Sequence, residues 1–199
     1  MSDARIGRVL AASLHQAIVD VLPTRLDFYE HWLHSNGLRQ GGIGLAPMSA
    51  VLGFLRAEGE PYGRVMARAG DCAAEWMVEE MPALKRRVVA ALPAPLRLRT
   101  ALGVGRALVR RTYPPSRAVA TVCRGTARVD VRRSLFCDVR EAGPVPLCGF
   151  YAAAFARVLD LFALRADAGI LTCRATGADA CTLSIVVRPQ SAAGGPDAP

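Results

Sequence analysis

The chain has 199 residues, of which 52% are hydrophobic, and its formal net charge is +8. Two domains of this total length would each fall near the lower size limit for a stable core, so we expect one domain over residues 1–188. The apolar stretch 149–164 is interrupted by Arg157 and Asp160, which argues against a membrane span. The N-terminal segment is amphipathic and has no cleavage site, so we do not expect a secretory signal. Without an export signal the six cysteines should stay reduced, and we predict a cytoplasmic protein.

The positive charge is concentrated in one part of the chain. Residues 85–133 contain Lys85 and twelve arginines but only one acidic residue, Asp130. Such a segment can meet nucleic acid, an anionic membrane surface or a ligand carboxylate, or it can be a solvated helix face. Tyr113 is the only aromatic residue among these arginines, so we expect no nucleic-acid partner.

The first 113 residues have the pattern of a helical half. Ile6, Leu10, Leu14, Ile18 and Val21 fall on one face of a helix, and Pro23 ends that pattern. Thr24 stands three residues before Asp27 and is predicted to cap a second helix. Prolines and glycines divide the rest into predicted helices at 47–59, 61–77, 82–92 and 96–111.

From residue 114 the period changes from helical to alternating. Residues 118–123 and 128–132 alternate around Arg124-Gly125 and predict a β-hairpin, and residues 150–162 return to helical spacing. Residues 170–175 and 181–187 predict a second hairpin that turns at Gly177. The order ββαββ after the helices predicts an α+β fold whose antiparallel sheet is covered by helices, followed by a disordered tail at 189–199.

Several kinds of catalytic site are missing from the sequence. Gly103-Val104-Gly105 lacks a third glycine and follows no strand, so no nucleotide cofactor is expected. No phosphate loop, hydrolase spacing or iron–sulfur spacing is present. We predict no catalytic residue and do not expect a self-sufficient enzyme. His31 and His34 could both face a metal or a haem, although solvent-facing histidines explain the same spacing.

A cysteine pattern in the C-terminal half resembles a known family. Its parts are Phe136-Cys137-Asp138, the run 147–151 with sequence LCGFY, and the run 173–181 that begins and ends with cysteine. This pattern is similar to the 4-vinyl-reductase, or hydrocarbon-binding, domain over residues 137–188. The resemblance extends to the bacteriochlorophyll 4-vinyl reductase protein, to TRAPP subunits, to NO-signalling ligand-binding domains and to the sensor domains of phenol-responsive regulators.

The resemblance implies a zinc site. In the sensor branch the matching cysteines and an upstream carboxylate bind zinc, which here would make Cys148, Cys173 and Cys181 ligands. The nearest carboxylate before Cys173 is Asp167, and Cys137 is the other candidate for a fourth ligand. Small buried cysteines without a metal, or a redox-active pair, would explain the same residues.

The resemblance also implies an apolar ligand, most specifically a tetrapyrrole intermediate of bacteriochlorophyll biosynthesis. Large side chains on the last long helix, Tyr151, Phe155 and Phe162, are predicted to line the pocket, and Arg128 could meet a ligand carboxylate. The chain would then be an accessory to a 4-vinyl reductase. The alternatives are a zinc-stabilised sensor or carrier for another hydrophobic ligand, and a TRAPP-like interaction module that forms a homodimer.

Overall fold

A computed structural model describes residues 5–33, 43–123, 125–139 and 141–188. The predicted α+β class is confirmed, with a helical half followed by two hairpins that flank one helix. The helices are α1 Arg8–Val21, α2 Leu26–Leu33, α3 Leu45–Ala57, α4 Pro61–Glu79, α5 Ala83–Ala91, α6 Ala94–Thr112 and α7 Gly149–Leu161. The strands are β1 Arg5–Ile6, β2 Ile43–Gly44, β3 Arg117–Cys123, β4 Thr126–Arg132, β5 Ala166–Thr172 and β6 Cys181–Val187.

Proline and glycine set most of the helix boundaries, as predicted. Pro61 is the first residue of α4, where its missing N–H costs no helical hydrogen bond. Gly59, between α3 and α4, has a φ of +74°, a conformation that other residues rarely adopt. The predicted Thr24 cap is not formed, because Pro23–Arg25 makes a 3₁₀ turn that leads directly into α2. The predicted tail at 189–199 lies outside the described residues.

The N-terminus differs from the sequence prediction. Ile6 was expected in the first helix but belongs to β1, which pairs with β2 in a small antiparallel sheet. Two-residue strands carry no periodicity, so the pattern could not reveal this pairing. Gly7 then crosses α6 closely and donates its N–H to Thr112 O at 2.9 Å. A Cβ at position 7 would lie 1.6 Å from Arg111 O, so this crossing requires glycine.

The main sheet has the strand order β3-β4-β6-β5, and each neighbouring pair is antiparallel. Alternate residues of β4, such as Val129 and Val131, are fully buried beneath the helices, while the residues between them face outward. The second hairpin begins earlier than predicted, since β5 starts at Ala166 and not at Ile170. Residues 174–176 leave the strand as a 3₁₀ turn, and Gly177 closes the connection with a φ of +88°.

The central helix pair is α4 against α7, and α6 packs against both of them. Gly70 of α4 allows the two backbones to meet, since a Cβ there would lie 2.4 Å from Phe150 O. The buried apolar residues of the described segments form one contiguous core. Within the same segments, none of the helices is both long and apolar enough to cross a bilayer.

Candidate metal centre

Four buried cysteines converge where α7 meets the second hairpin. Cys137 ends a 3₁₀ turn after β4, Cys148 is the N-cap of α7, Cys173 follows β5, and Cys181 is the first residue of β6. All four side chains are at most 3% exposed. The folding of the 173–181 loop back on itself brings the last two cysteines together, supported by Ala178 N–H donating to Cys173 O at 3.2 Å.

The four sulfur atoms are close enough to share one ion. They all lie within 4.8 Å of one another. The Sγ atom of Cys173 is 3.3 Å from that of Cys137 and 3.5 Å from that of Cys148, and the Sγ atoms of Cys181 and Cys137 are 3.4 Å apart. Tetrahedral zinc with Zn–S bonds of about 2.3 Å separates its sulfur ligands by about 3.8 Å. The cluster therefore needs only small shifts of its sulfur atoms, outward for the three close pairs, to hold such an ion.

Polar hydrogens around the cluster already point at sulfur. The backbone N–H of Leu147 donates to Cys173 Sγ at 3.4 Å, and that of Arg174 donates to Cys181 Sγ at 3.4 Å. Ser134 Oγ donates to Cys137 Sγ at 3.5 Å. Such hydrogen bonds stabilise negative charge on sulfur and orient the ligands of a metal.

Contacts among the sulfur atoms and burial shift the pKa values of three of the four cysteines, in opposite directions. Hydrogen bonds from Cys137 and Cys148 lower the pKa of Cys181 to about 2. Hydrogen bonds with Cys137 and Cys181, together with burial, raise the pKa of Cys148. The bond with Cys148 lowers the pKa of Cys137, but the bond with Cys181 and burial outweigh it and raise that pKa to about 12. Without a cation, Cys181 thus favours the thiolate while Cys137 and Cys148 favour the thiol, and a divalent cation would favour ionisation of both.

Two residues of the helical half hold the segments that carry the first two cysteines. Arg56 Nη2 donates to Phe136 O at 2.9 Å, and Tyr62 Oη donates to Leu147 O at 3.0 Å. The arginine also supplies positive charge next to the segment that carries Cys137. Neither residue was predicted, because each is at least 80 positions away along the chain from its partner and shares no motif with it.

The structure gathers the three predicted cysteines but does not bring Asp167 to them. Asp167 lies on β5, its side chain is 60% exposed, and its carboxylate accepts a hydrogen bond from Arg188 Nε at 2.5 Å. The fourth side chain in the cluster is Cys137, the other candidate from the sequence. Its signal was the short Phe136-Cys137-Asp138 motif, which carries no spacing rule by itself.

The predicted ligand-binding residues do not come together. Tyr151, Phe155 and Phe162 are at most 2% exposed and belong to the core. Phe155 packs against Gly105 of α6, where a Cβ would lie 2.2 Å from its ring. Arg128 is exposed on the outer face of β4 and bonds to Asp130 Oδ1 at 3.1 Å, so the sheet separates it from α7. Ligand binding by these four residues stays a prediction.

Of the two histidines considered as metal or haem ligands, the structure describes His31. His31 is exposed on α2, with its ring edge against Trp32 at a centroid distance of 6.1 Å. His34 lies outside the described residues. Among the described cysteine, histidine and acidic residues, only the four clustered cysteines lie close enough together to share a metal.

Comparison with known proteins identifies the fold. No family model matches the sequence, and no curated protein matches it either. Among solved structures, an H-NOX protein from K. algicida in its Fe(II) unliganded state covers 93% of this chain and 98% of its own, at 12% identity and a TM-score of 0.61. Trafficking protein particle complex subunit 3 from Naegleria fowleri, covalently bound to palmitic acid, covers 71% of this chain and 93% of its own, at 10% identity and a TM-score of 0.52.

A third neighbour is a sensor domain. The phenol-responsive sensory domain of the transcription activator PoxR, with phenol, covers 71% of this chain and 73% of its own, at 13% identity and a TM-score of 0.50. Likeness at this level of identity shows a shared fold. The predicted relation to TRAPP subunits, NO-signalling domains and phenol sensors is therefore confirmed for the fold, while none of the three neighbours described is a 4-vinyl reductase.

Proposed function

We propose that this chain is a zinc-stabilised domain that binds an apolar small molecule. One observation carries the proposal: four buried sulfur atoms within 4.8 Å of one another join three separate segments of a fold that ligand-binding proteins share. Four thiolates leave no open coordination position, which is typical of structural zinc and not of catalytic zinc. The ion would fix the start of α7 to the β5–β6 hairpin.

The ligands of the fold neighbours support the binding half of the proposal. One neighbour holds phenol and another holds palmitic acid, and both molecules are largely apolar. In the narrower form of the proposal, which the sequence resemblance favours, the ligand is a tetrapyrrole intermediate of bacteriochlorophyll biosynthesis and the chain is an accessory to a 4-vinyl reductase. A homodimer stays a prediction.

Metal and ligand analysis of one sample tests both halves. Protein purified without added metal should contain about one zinc per chain, and a strong chelator should lower its melting temperature, because the energy of binding such a metal is also folding energy. Organic extraction of the same sample, followed by mass spectrometry and absorbance, should release an apolar molecule, with a pigment spectrum if the narrower form holds. Metal-free protein that melts identically with and without chelator would refute the zinc half, and an extract that matches a buffer blank would count against the binding half.

A further inference from the structure

A cavity lies at the opposite end of α6 from the Gly7 crossing. It encloses about 420 Å³ between the start of α6, the β3–β4 turn and the adjoining ends of β5 and β6. None of the four clustered cysteines lines it. Its volume lies within the range of about 300–1,000 Å³ that is usual for small-molecule sites.

The cavity wall is apolar and its charged residues are all positive. The apolar lining residues are Ala94, Pro95, Leu98, Val122, Leu164 and Val187, and the charged ones are Arg97, Arg99, Arg165 and Arg188. Arg188 is paired with Asp167. The other three arginines have no carboxylate within 4 Å among the described residues. An apolar surface beside uncompensated arginines suits a molecule with an apolar body and an acidic group.

Arg97 is fixed beside the cavity. Its Nη1 reaches Phe162 O at 3.5 Å, and its Nε is buried without a hydrogen-bond partner. The side chain lines the cavity and is only partly buried, so the accessible part of its guanidinium can meet a carboxylate there. Arg99, two residues further along α6, also lines the cavity and adds a second positive charge.

A shallower groove continues from the cavity along α6. It has a volume of about 290 Å³, shares Arg99 and Val122 with the cavity and reaches Ala120 and Arg106 on the way along β3. The surface of this groove is more polar than that of the cavity, so the apolar body of a ligand belongs in the cavity itself. The neighbouring depression on the α7 side is lined by three aspartates and three arginines, so it offers an acid no net positive charge.

We propose that the cavity binds an amphipathic carboxylate, with its acidic group at Arg97 and Arg99 and its apolar body against Leu98, Val122 and Leu164. The inference rests on the proposed function, because it names the class and the place of the apolar ligand. The proposed site lies outside the core around α7, on the inner face of the sheet at the edge formed by β3.

Titration calorimetry of the full chain at low ionic strength tests this assignment. The probes are octanoate, octan-1-ol and acetate. Octanoate should bind one per chain and at least about tenfold more tightly than octan-1-ol, since only the acid meets the arginines, and acetate should not bind measurably. Added salt should weaken octanoate binding and leave octan-1-ol binding unchanged.

Two pairs of variants locate the site. Val122→Glu puts a carboxylate into the cavity wall and should weaken octanoate binding at least about tenfold, whereas Val119→Glu on the same strand faces the outer side of the sheet and should change it less than about twofold. Arg99→Gln should weaken binding and reduce its salt dependence. Arg110→Gln, on the exposed side of the same helix, should do neither.

The possible failures are distinguishable. If octan-1-ol binds as tightly as octanoate and Val122→Glu has no effect, this inference is wrong while the chain still binds an apolar molecule elsewhere. If acetate or inorganic phosphate binds as well as octanoate, the cavity is a simple anion site and the inference is also wrong. If none of the probes binds, this inference is wrong, whereas the binding half of the proposed function is decided separately by the organic extraction.

Discussion

Replacing Cys173 with serine is expected to release the metal and to lower the free energy of unfolding by about 4 kcal/mol or more. The Sγ atom of Cys173 contacts two other sulfurs of the cluster and accepts a hydrogen bond from Leu147 N–H. A hydroxyl there is a poor zinc ligand, and the three remaining cysteines would lose their common partner. Denaturant titration combined with metal analysis measures both effects.

Cys123→Ser is the matched control for that variant. Cys123 is exposed at the end of β3 and is not part of the cluster, so its stability should change by about 0.5 kcal/mol or less. If Cys173→Ser does not fold, chelation of the unaltered chain gives the same comparison. Equal stability of Cys173→Ser and the unaltered chain, with equal metal content, would contradict a structural role for the centre.

Replacing Gly70 with alanine is expected to lower the free energy of unfolding by about 3 kcal/mol or more, at the upper end for added bulk in a packed core. The new Cβ would lie 2.4 Å from Phe150 O and 2.9 Å from Ala154 N. These are backbone atoms of a helix, so no side-chain rotation can remove the clash. Helices α4 and α7 would have to separate, which would also disturb the start of α7 at Cys148.

Gly63→Ala on the same helix is its matched control. A Cβ at position 63 meets no atom within 4 Å, so the change should stabilise the protein by about 0.5–1 kcal/mol through the better helix propensity of alanine. Urea denaturation of both variants measures the difference. If Gly70→Ala were as stable as Gly63→Ala, the close approach of α4 and α7 would not exist in solution.

The order of elements could be predicted from the sequence because hydrophobic periodicity and the prolines and glycines that end helices are local properties of the chain. Pro23 and Pro61 marked the end of one helix and the start of another, and the alternation around Val129 and Val131 marked a half-buried strand. The same alternation already implied that Arg128 faces away from the core, so its pairing with the aromatic residues of α7 conflicted with the pattern that predicted the strand.

The fourth member of the cysteine cluster could not be chosen from the sequence. The face on which Asp167 lies depends on the register of β5 against β6, where Asp167 pairs with Val186, and register is a long-range property. The sequence also cannot show whether Phe155 packs in the core or lines a cavity. Its helical spacing identifies an inward face, but only the approach of α6 at Gly105 shows that the space in front of the ring is filled.

The strand order has a consequence for how the chain acquires its structure. β6 follows β5 in the chain but lies between β4 and β5 in the sheet. Strands β4 and β5 can therefore become part of one sheet only after β6 has inserted between them. Cys181 opens that inserting strand, and its sulfur meets Cys137, which is 44 positions earlier. Sheet completion and closure of the cysteine cluster are therefore the same late event during synthesis, and until then a nascent chain exposes two unpaired strand edges to other chains.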